Sequence, residues 1–300
     1  MGAFAVSNVL SHDRKLAALR LLVEGNSLRS ITRVTDIHRT ALMRFMVTFG
    51  QAARQFLDEQ MRGLHLRHVQ VDEIWTFVLK KQGRLTIQER HNSNIGDQYL
   101  WVAFDQDTKL VPTFAIGKRS ADMARRLMVD LARRLVLPSP NEIDDRNFKK
   151  GFFRKIVQIS TDGFAAYPEA VDLAFGPYAD YGTCIKDYRN ADQPGRYAPP
   201  EMIQTQRRTV FGNLNPREFG TSHVERNNLT IRMFVKRFAR LTLAFSKKRE
   251  NLAAAVALHF AYFNFVWKPR TTNATPAMLA GVADREWTLE ELYNAVLTKG

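Results

Sequence analysis

The sequence predicts an α/β domain preceded by an all-α segment, and three observations carry that expectation. Apolar residues recur at helical spacing through residues 11–62. From about Arg67 the texture changes to runs rich in β-branched and aromatic residues, the composition of strands. Three such runs, a helical pattern and a fourth apolar run then follow in the order that builds a sheet with a helix crossing over it.

Each element has its own signal. In the first segment Leu16, Leu19, Leu22 and Val23 share a helical face, and Gly25-Asn26 supplies a stop. Ser27 is placed to cap a second, short helix carrying Leu28 and Ile31, with a break near Thr35-Asp36. A third helix starts near His38 and carries Ala41, Leu42, Phe45 and Met46. Two helices joined by a tight turn after a longer one suit a helix-turn-helix, with His38, Arg39, Thr40 and Arg44 at the exposed start of the recognition helix. A three-helix dimerisation unit has the same pattern.

Val69 to Leu79 reads as a strand buried on both faces. Tyr99–Phe104 and Leu110–Ile116 read as two more, joined by the turn Asp105-Gln106-Asp107-Thr108, where Asp105 and Asp107 suit turn chemistry better than metal binding. Ser120 caps a helix through about Leu135. A charged connector, Pro138 to Lys150, leads to a short strand, Ile156–Ser160, ending at Thr161-Asp162-Gly163. Residues 183–220, with prolines at 194, 199, 200 and 216, read as an insertion or long loop. A long helix resumes near Ser222, and a nearly all-apolar one spans about Ser246–Trp267. The tail offers Thr275-Pro276 as a helix start and Thr288 with Glu291 at capping-box spacing. His223 and His259 read as structural, and Trp75 and Trp101 as packing residues.

The expected domains are therefore 1–66, helix-turn-helix; 67–268, catalytic, with the insertion at about 183–220; and 269–300, a helical tail. One cysteine, Cys184, excludes an internal disulfide and a cysteine-rich zinc module. The most apolar stretch is broken by His259 and Asn264, and the amino terminus lacks a secretory pattern, so the expected setting is cytoplasmic.

Charge points to the partner. Lys plus Arg is 44 against 30 acidic residues, a net charge of +14, which attracts polyanions. Arg226 to Arg249 contains eight basic residues and no Asp or Glu. Three carboxylates stand out within this basic chain. An ionised Asp72 inside a strand is costly unless it meets a cation, and its neighbour Glu73 projects to the opposite face, so at most one of the two is expected in a given site. Asp162 lies at a strand end, where α/β sheets place ligands. If Glu225 lies on a helix that runs on to Leu241, Arg232 and Lys236 fall within about 20° of it and Arg240 within about 60°. An apolar back forms opposite, and an ordinary amphipathic helix with a solvated basic face has the same pattern. Arg226, Arg232, Lys236, Arg237, Arg240, Lys247 and Lys248 are the candidate DNA-binding residues of this region.

The segments Val71-Asp72-Glu73-Ile74-Trp75, Ser160-Thr161-Asp162-Gly163 with Tyr167, and Val224-Glu225-Arg226-Asn227-Asn228-Leu229, continued by Arg237 to Lys248, resemble the DDE transposases of the insertion-sequence-one family. The similarity runs from about Asp72 to Trp287. It implies a ribonuclease-H-like catalytic core, a triad of Asp72, Asp162 and Glu225 and two Mg²⁺ ions that Mn²⁺ can replace. It further implies cleavage of transposon ends with joining to target DNA, on double-stranded DNA and as a homodimer or larger assembly. Many relatives begin with a zinc-binding module, which this chain lacks, and the segment between Asp162 and Glu225 is longer than in the compact relatives. Two other functions fit the same residues: a DNA-binding regulator with an inactive core, and a structure-selective nuclease.

Overall fold

The computed structural model describes residues 10–137, 157–189, 201–214, 219–239 and 242–298. The connector at 138–150, the four prolines of the expected insertion, and Arg240 with Leu241 lie outside them. The described residues begin with three helices: α1 (His12–Val23), α2 (Leu28–Thr35) and α3 (Arg39–Gln60). Ser11 and Ser27 cap the first two, each accepting a bond from a backbone N–H three residues on. Asp36 then takes a left-handed conformation (φ 52°), which ends α2 and turns the chain into α3.

The sheet follows: β1 (His68–Val78), the one-turn helix α4 (Ile87–Arg90), β2 (Gly96–Asp105), β3 (Thr113–Gly117), α5 (Ala121–Ala132), β4 (Val157–Thr161), α6 (Tyr167–Phe175), β5 (Ala179–Arg189) and β6 (Glu201–Phe211). Its six strands run in the order β3-β2-β1-β4-β5-β6. The first three are antiparallel neighbours, β4 lies parallel to β1, β5 parallel to β4, and β6 antiparallel to β5. The described parts of residues 183–220 are thus largely sheet, where a loop was expected: β5 continues the central strands, and β6 pairs with it. Proline and glycine density hid β5, which pairs with β4, and β6, which pairs with β5.

Helices α7 (Ser222–Phe234), α8 (Arg249–Phe265), α9 (Pro276–Leu279) and α10 (Leu289–Leu297) complete the chain. The caps expected at Ser120, Thr275 and Thr288 form, the last with its capping box to Glu291. Asp105 serves its turn, accepting from the backbone N–H and hydroxyl of Thr108. Helix α8 is buried almost all round, as an all-apolar helix must be. His259 sits inside it, where burial pushes the imidazole pKa down to about 4 and keeps it neutral. Asn264 pairs both side-chain polar atoms with the backbone of Val111. Trp101 is fully buried against Phe164 and Tyr167.

The amino-terminal helices share their core with the sheet. Gly50 of α3 lies so close to α8 that a Cβ there would stand 2.2 Å from the Ala254 carbonyl oxygen. The carboxy-terminal helix joins the same cluster, with Tyr293 of α10 stacked on Phe49 at 6.0 Å. Among the described residues no helix is long and apolar enough to cross a membrane.

The helix carrying Glu225 is shorter than expected. It ends at Phe234, and Val235 is extended before a single turn at residues 236–238. The cause is tertiary. The end of α7 abuts the α1–α2 turn, where a Cβ on Gly25 (φ 73°) would meet the backbone of Met233 and Phe234 at 3.0 Å. Thr76 of β1 then donates to the Arg237 carbonyl and holds the onward chain against the sheet.

Candidate active site

Asp72 lies in the middle of β1, and the parallel register with β4 pairs Val71 with Thr161. The residue after each is an aspartate, Asp72 within β1 and Asp162 just past β4, so two carboxylates meet at the carboxyl end of β4. Asp72 Oδ1 accepts from the Glu73 backbone N–H at 2.8 Å, and Oδ2 accepts from Asn228 Nδ2 at 2.7 Å. Both of these donors are neutral. Burial, with further contributions from the charges of Glu73, Asp162 and Glu225, pushes its pKa up to about 7.

Glu73 faces the other side of the sheet, beneath α5 and α6. Its side chain is only 3% exposed. Tyr167 donates its hydroxyl to Oε1, and Arg119 donates Nε to Oε2 at 3.3 Å. The same guanidinium reaches Asp162 Oδ2 at 3.3 Å and lies over the Phe164 ring, 4.3 Å from its centroid. Asp162 Oδ1 accepts from the Phe164 N–H at 2.9 Å, which fixes the turn leaving β4. Burial and the charge of Asp162 raise the Glu73 pKa, opposed by Tyr167 and Arg119. The Tyr167 phenol, enclosed beside carboxylates, is pushed well above its usual range and stays a donor.

The alternation of faces is as expected, but the conclusion drawn from it was too strict. One carboxylate oxygen from each of Asp72, Glu73 and Asp162 lies within 4.8 Å of the other two. Asp162 sits just past the end of its strand, so it is reachable from both faces. The longer glutamate side chain closes the remaining distance.

Helix α7 is fastened to β1 at two points on the Asp72 face. Gln70 accepts from the backbone N–H groups of His223 and Val224 at 2.9 and 3.0 Å, satisfying two open donors of the helix start. Asn228 makes the second attachment, to Asp72. Glu225 lies between them, near enough to raise the Asp72 pKa, yet its carboxylate is engaged elsewhere. Thr221 donates to Oε1 at 2.8 Å, and Lys186 of β5 forms an ion pair with Oε2. Glu225 therefore falls outside the three-acid set.

The basic residues divide into two groups. His38, Arg39, Thr40 and Arg44 are exposed at the start of α3, where His38 Nδ1 caps the helix by accepting from Thr40 N–H. Arg226, Lys236, Lys247 and Lys248 are also exposed. Arg232 is half-buried and donates to the Phe238 carbonyl at 3.2 Å. Arg237 is placed differently from the other residues expected to contact DNA. Its guanidinium turns inward, donating to Ser246 Oγ at 2.9 Å, and burial pulls its pKa down to about 10. The basic track reckoned on a continuous helix is interrupted, because α7 stops before Lys236. Sequence reasoning missed Arg119, Lys186 and Asn228 and left Glu73 out of the site. Only Asn228 carried a signal, as part of the segment around Glu225.

No protein-family model matches the chain, and no characterised protein matches it by sequence. Solved structures similar to it include the Mos1 strand transfer complex, at 16% identity and TM-score 0.23 over 57% of each chain. A pre-cleavage Mos1 transpososome gives 13% identity and TM-score 0.22, over 57% of this chain and 58% of that one. A Mos1 mariner paired-end complex with Mn gives 15% and 0.21, over 55% and 56%. The chain thus spans a little over half the length of each.

Proposed function

We propose that the protein is a DNA transposase with a ribonuclease-H-like core, in which Asp72, Asp162 and Glu225 hold two divalent cations, Mg²⁺ with Mn²⁺ as a substitute. The observation that carries this reading is the convergence of carboxylate oxygens from two adjacent strands at a strand's carboxyl end, with Asp72 starved of positive charge. Hard oxygen donors in such a set fit Mg²⁺ and Mn²⁺. When bound, such cations supply charge stabilisation at the phosphoryl oxygens and a nucleophile at neutral pH.

The chain's own residues have separable tasks. Asp72 and Asp162 form the shared edge of the site. Glu225, now paired with Lys186, would hold a cation in its place, and the Lys186 ammonium would then be free for a phosphate oxygen. Arg119 holds Asp162 and Glu73 in place from the opposite face. Arg226, Lys236, Lys247 and Lys248 supply exposed positive charge for the DNA backbone. The turn-linked pair α2 and α3, with His38, Arg39, Thr40 and Arg44 exposed, is proposed to read transposon ends.

The test is purified protein with Mg²⁺ and the DNA flanking its own gene, assayed for end cleavage and strand transfer. Defined-end joining supports the transposase. Cutting without joining indicates a nuclease, and binding without either indicates a regulator.

A further inference from the structure

We propose that Asn228 is a further oxygen ligand of this cation site, through its side-chain carbonyl. The inference rests on reading the acidic cluster as a divalent-cation site, and it names a residue outside the proposed triad. Asn228 is only 8% exposed. Its Nδ2 is committed to Asp72 Oδ2 at 2.7 Å, while its Oδ1 is buried with no hydrogen-bond partner among the described residues. The two atoms share one carbon, so the unpartnered oxygen lies beside the Asp72 carboxylate. Buried carbonyl oxygens are nearly always satisfied, and one that is not calls for a specific reason. A cation held by neighbouring carboxylates is such a reason, because amide carbonyls are ordinary ligands for hard divalent ions.

Placement on α7 strengthens the case. Asn228 follows Glu225 by three residues, so the two side chains leave the helix on one face. That face is turned to β1, since both Gln70 and Asp72 bond to α7 there. Asp72 and Glu225 together match the charge of one divalent ion. A neutral oxygen then adds a ligand without adding repulsion, which suits asparagine better than a further acid. The same side chain positions Asp72 through its NH₂ group, so ligand and positioning roles meet in one amide.

Titration of the full-length protein with Mn²⁺, following free ion by electron paramagnetic resonance, separates the roles. Wild type is expected to bind saturably, and Asp72→Asn to lose that binding. Asn228→Ala should weaken it by about tenfold or more, the scale on which groups supporting a metal act. Asn228→Asp keeps the oxygen and loses the NH₂ donor, so it should bind at least as tightly as wild type. Melting curves in EDTA establish folding. Asn228→Gln, which moves the amide oxygen, replaces any variant that does not fold and should bind more weakly than wild type. Unchanged affinity in Asn228→Ala or Asn228→Gln overturns the inference while leaving the cation site standing. Asn228→Asp binding as weakly as Asn228→Ala also overturns it, assigning the effect to the lost donor. Absence of saturable Mn²⁺ binding in wild type removes the cation site itself.

Discussion

Asp72 and Glu73 are consecutive on one strand, yet the two faces of the sheet treat them oppositely. Glu73 is enclosed and is met by a cation and a phenol, Arg119 and Tyr167. Among the described residues Asp72 receives only neutral donors, and three other acids, Glu73, Asp162 and Glu225, act on its charge. Burial alone does not mark a functional carboxylate; burial without a compensating cation does. The Glu73 face carries its own compensating cation, whereas the Asp72 face, on the function proposed above, would take its positive charge from solution.

The comparison breaks most visibly in catalysis. Asp162→Asn should reduce Mg²⁺-dependent cleavage at least about 100-fold, the scale of removing a preorganised electrostatic group, while DNA binding measured by gel shift persists. Retained cleavage would remove Asp162 from the site.

Next in size is a pH effect confined to the Asp72 face. With its folded pKa near 7, above the unfolded value of 3.8, Asp72 binds more protons folded than unfolded between those limits. Its unfavourable contribution is absent below about pH 4, grows as pH rises, and is complete above about pH 7. In EDTA at pH 8, Asp72→Asn should therefore be more stable than wild type, by up to about 4 kcal/mol on the scale of the pKa shift. The gain should vanish near pH 4 in urea unfolding curves. Equal stability at both pH values would show that Asp72 is not charge-starved.

On the other face the sign reverses. Arg119→Ala strips the cation from Glu73 and Asp162 and should destabilise the protein at pH 7 by about 1–2 kcal/mol, discounted for the half-exposed guanidinium. Thermal melts with and without Mg²⁺ would show partial recovery on adding the ion.

The smallest effect separates the two kinds of basic residue. Lys247→Ala should lower the slope of DNA affinity against salt by about one unit. Arg237→Ala should leave that slope unchanged and lower the melting temperature instead, because its guanidinium is an internal donor to Ser246.

Legibility in the sequence followed range. Helix starts at Ser27, Ser120, Thr275 and Thr288 were readable because a cap and its partner lie three residues apart. Strand β1 was readable from its own composition. Strands β5 and β6 were not, since the register holding β5 comes from β4 and the turn-forming residues nearby argued for a loop. Glu225 could be placed on a helix, but its ion pair with Lys186 depends on where β5 runs. Arg119 lies between a strand and a helix in a stretch without any motif, and only the crossover brings it over Asp162.

By itself the sequence determined the chain's positive charge, its order of helices and strands, and which acids are costly to bury. These are properties of single residues and of neighbours within a few positions. Tertiary structure decided which acids meet, which cation each one finds, and that α7 stops at Phe234 against the Gly25 turn. Electrostatic energy depends on distances through space, and those are set by strand register and helix packing between segments far apart in the chain.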